Sequence, residues 1–132
     1  MNREIKFRAR KNSTKEWIYG SLLTDNDGGY AIVQIRHNPI SNGVVSGWCF
    51  GIEKGTECQY TGLKDKNGKD IYEGDIVNGG MFNGVYCYGK IIFDNGQFYA
   101  VSILPFTEGI STDFNFFEVI GNIYENSELI NH

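Results

Sequence analysis

Between Gln59 and Val77 the chain reads QYTGLKDKNGKDIYEGDIV, with four acids, three lysines and three glycines. Asp70, Glu73 and Asp75 are the residues here whose type and spacing could do chemistry. On a strand, Glu73 and Asp75 share a face, with room for a bulge at Gly74. A carboxylate pair at a suitable separation in a cleft hydrolyses glycosidic bonds. Calcium binding fails on register. With Gly68 at the sixth position of an EF-hand loop, Leu63 falls first and Gly74 twelfth; with Gly28 there, Leu23 and Gln34 do. Gly68-Lys69 is followed by Asp70 and is wrongly spaced from Gly62 for a P-loop, and no helix follows to hold a dinucleotide. His37 is the one internal histidine, and no Gly-x-Ser-x-Gly elbow exists. A Cys87–His37 pair has nothing in its spacing to support it. No metal and no cofactor are expected, and no catalytic residue is assigned.

The elements that hold these residues read as β almost throughout. Ile5, Phe7 and Ala9 alternate with Glu4, Lys6, Arg8 and Arg10, which predicts a strand with one apolar and one charged face. Strands are expected at 17–23 and 30–35, joined through Asp25-Asn26-Asp27-Gly28-Gly29. After a loop over 37–43, another strand is expected over 44–52. Asn67-Gly68 is a hairpin step suited to a type I′ turn, which makes the opening stretch two short strands and a solubilising turn. Strands at 86–93 and 97–103 flank Asp94-Asn95-Gly96. The segment 105–113 reads as irregular and 114–124 as a last strand. Asn126 is a candidate N-cap for one helical turn over 127–130. The fold class is mainly β: a meandering antiparallel barrel or sandwich, with an SH3-like barrel-type C-terminal part and a short C-terminal helical turn. A single domain of 132 residues is expected, with a soft internal boundary near Gly55.

The net charge of −4 is unevenly spread. Residues 1–36 hold 7 Lys/Arg against 4 Asp/Glu, and residues 37–132 hold 5 against 12. An acidic whole argues against nonspecific nucleic-acid binding, which rests on phosphate neutralisation. The opposed ends could attract each other within one chain or between subunits, and together with free strand edges this makes a homo-oligomer the expectation. Cys49, Cys58 and Cys87 are odd in number and widely spaced, which suits free thiols in a reducing cytoplasm. No apolar run follows the amino-terminal charges, so no signal peptide is expected, and no stretch is apolar enough to span a membrane.

Two candidate binding sets emerge. The basic set is Lys6, Arg8, Arg10 and Lys11, on a strand whose charges also suit a solvated edge. The aromatic set is Trp48, Phe82, Tyr86 and Tyr88, placed around the loop Asn78-Gly79-Gly80-Met81. Aromatic side chains on a β-surface anchor protein partners or stack bases.

Four segments carry a family resemblance: Met-x-Arg-Glu-Ile-Lys-Phe-Arg-Ala at the start, Gln59 to Gly68, Ile71 to Val77, and Glu118-Val119-Ile120-Gly121-Asn122-Ile123-Tyr124-Glu125-Asn126. In this order they resemble the YopX family, small proteins encoded by phages and prophages, and the resemblance covers effectively the whole chain. It departs in places. Arg10-Lys11 stands where Trp-Asp is common, Ser127 stands where Pro is common, and residues 78–115 match little. The resemblance implies a mostly-β fold and a phage or prophage setting inside a bacterial cell. It implies no reaction.

Three functions are compatible with these readings. The first is a non-enzymatic binding module contacting a host or phage protein. The second is a nucleic-acid binder using the basic strand. The third is a small hydrolase using Asp70, Glu73 or Asp75.

Overall fold

The computed structural model describes residues 4–37, 45–82, 84–104, 110–111, 114, 116–126 and 128; at 35–37, 45–47, 82, 104 and 110–111 it describes the backbone alone. The chain divides into two compact units, Met1–Gln59 and Tyr60–His132. All eleven elements among the described residues are strands.

The first unit holds β1 (Phe7–Arg10), β2 (Trp17–Thr24), β3 (Tyr30–His37) and β4 (Val45–Gly51) in the spatial order β4-β3-β2-β1. Neighbours are antiparallel. Alternation places Phe7, Ala9, Ile18, Leu22, Ile32 and Phe50 on one face, where Ala9, Ile18, Ile32 and Ile52 form the core. β2 and β3 lie so close at Gly20 that a Cβ there would stand 2.3 Å from the Val33 carbonyl oxygen. The turn between β2 and β3 hangs on Asp25. Its carbonyl accepts from Gly28 N at 3.4 Å, its N–H donates to Gly29 O, and its Oδ1 accepts from Asp27 N and Gly29 N. After β4 the chain returns to β1: Lys11 bridges Ile52, Asn12 N donates to Gly51 O, and Glu53 N donates to Arg10 O.

The boundary between the units falls inside β5 (Cys58–Lys64). Its Cys58 and Gln59 pair with β1, and its Tyr60 and Lys64 pair with β6 (Asp70–Tyr72).

The second unit carries a five-stranded antiparallel sheet in the order β10-β9-β8-β7-β11. Its strands are β7 (Asp75–Phe82), β8 (Val85–Asp94), β9 (Gln97–Leu104), β10 (Ile110–Ser111) and β11 (Glu118–Asn122). Val77 opposes both Val119 and Gly89, and Ile91 opposes Ala100. Val77, Ile91 and Ala100, with Ile71, Phe114 and Phe117, make the second core, and Val119 packs against it.

Mainly β is the fold. Two sequence expectations need correction. Among the described residues the C-terminal sheet is open between β10 and β11 and does not close as an SH3-like barrel. The last strand is shorter than 114–124: Phe114 and Phe117 are buried in a turn closed by Phe117 N on Phe114 O at 3.1 Å, and pairing starts at Glu118. The expected helical turn over 127–130 lies outside the described residues apart from Glu128. Asn126 closes a turn with Asn122, its Oδ1 accepting from Asn122 N.

Candidate binding surface

The carboxylates of the opening stretch are held in separate local tasks. Asp65 is buried, and its Oδ1 accepts from Asn67 N at 2.8 Å and Lys69 N at 2.9 Å. Its Oδ2 accepts from Val119 N at 2.9 Å, which fastens the hairpin to the start of β11. Burial by itself pushes the Asp65 carboxyl up. The backbone donors from Val119, Lys69 and Asn67, with the Lys69 charge, outweigh it and hold the group below 3.8. Asp70 forms an ion pair with Lys64 across β5 and β6. Asp75 is fully buried and its Oδ2 accepts from Tyr72 N at 2.8 Å. Glu73 sits half-buried in the turn between β6 and β7. Among the described residues, no three His, Cys, Asp or Glu side chains gather as a metal site. Cys49 is exposed, Cys58 buried and Cys87 half-buried, all as free thiols. His37 ends β3, and its side chain lies outside the description.

The basic set is not a solvated face. β1 lies between β2 and β5, so it is an interior strand and not an edge. Arg8 is 6% exposed, with its guanidinium 4.6 Å above the Trp17 ring. Lys6 forms an ion pair with Glu4 at 2.8 Å. Arg10 donates its N–H to Thr56 Oγ1 and its Nε to the Lys15 carbonyl. Lys11 places its ammonium 4.5 Å above the Phe50 ring. The four residues are adjacent in sequence, yet each is engaged by a different neighbour.

The aromatic set divides between the units. Trp48 is in β4 of the first unit, opposite Gln34, and 64% exposed. Tyr86 and Tyr88 are in β8 of the second. Tyr86 opposes Met81, and these two side chains are 54% and 63% exposed. Tyr88 opposes Asn78 and is half-buried. Phe82 ends β7 opposite Val85; its side chain lies outside the description. The register shifts between Asn78 and Met81, where Gly80 takes φ 95 and donates its N–H to Asn78 Oδ1. Such a bulge re-aims the side chains beyond it. Val85 is also exposed and, as the neighbour of Tyr86 on a strand, points to the opposite face. The end of the β7–β8 hairpin therefore shows apolar side chains on both faces. Met81 and Val85 are absent from the sequence-derived set. The available signal is the run from Asn78 to Gly89, which contains no Asp, Glu, Lys or Arg.

A family model described as YopX protein matches residues 6–131. The chain belongs to the YopX family. This YopX chain is also similar to a solved structure, the crystal structure of protein EF1440 from Enterococcus faecalis. The two are 26% identical and superpose with a TM-score of 0.60, over 98% of this chain and 100% of that one. Comparison with curated proteins gave no match.

Proposed function

We propose that this YopX protein is a non-enzymatic binding module of a phage or prophage, acting inside the bacterial cell on a host or phage protein. The observation that carries this reading is the end of the β7–β8 hairpin, where Met81, Val85 and Tyr86 are exposed within an uncharged run. Exposed apolar side chains gathered at one hairpin end suit a contact site. The surrounding unit holds 4 lysines against 10 acids, of which Asp65 and Asp75 are buried, so the neutral hairpin end stands out within an acidic unit. That setting suits a protein partner with an apolar groove and a basic rim, and it repels phosphate backbones and anionic lipid. The engaged carboxylates at Asp65, Asp70 and Asp75 favour binding over hydrolysis. The engaged side chains of Lys6, Arg8, Arg10 and Lys11 likewise disfavour the nucleic-acid reading.

The test is site-specific photo-cross-linking in bacterial cells, with benzoylphenylalanine at Tyr86 or, as control, at exposed Lys66 of the same unit. A discrete protein adduct is expected from position 86, absent from 66 and lost on Met81→Ser. Met81 is exposed, so that change should move stability by no more than about 0.5 kcal/mol. Identical adducts at both positions, or none at 86, overturn the reading.

A further inference from the structure

Four strands end the two sheet orders among the described residues, and three of them are protected from pairing with another chain. β10 has two residues and β6 three, with Asp70 at its start. β11 has five, opens on Glu118, and is interrupted by a register shift between Val119 and Gly121. Short length, charge and bulges are the usual devices that keep sheet edges from joining. β4 has none of them. It is seven residues long, VSGWCFG, without charge or proline, and its register with β3 runs unbroken from Val45 to Gly51.

The direction of its outward backbone groups, to which no described residue but Asn12 donates, follows from one hydrogen bond. Gly51 O accepts from Asn12 N, so Gly51 faces away from β3. Antiparallel alternation then turns Cys49, Gly47 and Val45 the same way. We propose that β4 pairs antiparallel with β4 of a second copy, about a two-fold axis at Gly47. Gly47 then opposes Gly47 of the other copy, and Val45 opposes Cys49. About six interchain hydrogen bonds form from groups that face outward. Asn12, which occupies the Gly51 carbonyl, stays outside the paired segment.

Charge selects a second copy as the occupant. A two-fold contact sets each patch against itself, so any charge on it meets its own sign. The edges at β6 and β11 carry Asp70 and Glu118; β4 of a chain with net charge −4 brings no charge to the axis. The smallest residue lies on the axis, and exposed Trp48 lies beside it, opposite position 46 of the other copy.

The experiment uses the full chain. Light scattering on a sizing column should give twice 14.9 kDa at both low and high salt, because an uncharged edge is not screened. Val45→Cys should then cross-link under diamide, with peptide mapping locating the bond between Cys49 and position 45 of different copies. Their α-carbons would stand about 5.5 Å apart, within disulfide reach. The two native Cys49 residues would be about 14 Å apart, so the unaltered chain should not cross-link. Gly47→Lys sets two ammonium groups at the axis and should give a monomer with an unchanged circular dichroism spectrum. A monomeric wild type at its highest soluble concentration overturns the proposal. So does a dimer that dissociates in salt, or one in which Val45→Cys fails to bond to Cys49.

Discussion

Asp25 and Asp65 stand at the head of the same turn, Asp-x-Asp/Asn-Gly-x, and bond it identically, yet they should differ in energetic weight. Asp25 is exposed and caps two N–H groups of its own loop. Asp65 is buried and captures a third donor, Val119, from 54 residues away. Asp65→Ala leaves those donors without their charged acceptor and should cost about 3 kcal/mol or more, against about 1 kcal/mol for Asp25→Ala. Urea unfolding of the two variants measures the contrast. The Asp65 carboxyl is held below its ordinary value in the fold, so its stabilisation is present above about pH 4 and is lost as pH falls through the folded value. Wild type should therefore lose stability in acid more steeply than Asp65→Asn, which carries no titrating group there. The turn was legible from its residues. The burial of Asp65 was not, because the donor that sets it lies in β11 and no local pattern announces it.

Period-two alternation and turn chemistry located most strands, but two details depend on what lies alongside. The charges of β1 alternate as on an edge strand, and their pattern cannot reveal that β5 pairs on the other side. Burial of Arg8 follows from that second neighbour and from Trp17 across the ladder. The two Asn-Gly turns also look alike in sequence and differ in structure. At Asn95-Gly96 both residues are left-handed, φ 52 and 78, as a two-residue type I′ turn requires. At Asn67-Gly68 only Gly68 is, at φ 82, and Gly68 N donates to Asp65 O in a longer loop. Asn67→Gly should thus cost about 1 kcal/mol, through added chain entropy and the lost Asn67–Glu118 contact. Asn95→Gly should stay within about 0.5 kcal/mol of wild type, because glycine accepts positive φ without strain. Thermal unfolding of both variants separates the two turn types. Equal losses would mean that the turns share one geometry.

At the scale of the whole molecule, length suggests one domain with a soft boundary near Gly55, and the two compact units meet between Gln59 and Tyr60. No glycine, proline or charge run marks that point, since β5 crosses it as an unbroken strand. What distinguishes the units is that each has its own core. Ile32 and Ile91 are both fully buried, one in each. Truncation of either to alanine should cost about 2–5 kcal/mol, since each leaves a cavity lined by close-packed neighbours. The location of the damage is more informative than its size. If each core stabilises its own strands, Ile32→Ala should accelerate amide hydrogen exchange chiefly in β1 to β4, and Ile91→Ala chiefly in β7 to β9 and β11. Both variants would then show sub-global opening below the energy of full unfolding. Uniform acceleration from either substitution would instead mean that the strand crossing the boundary welds the units into one cooperative fold, and that the two cores open only together.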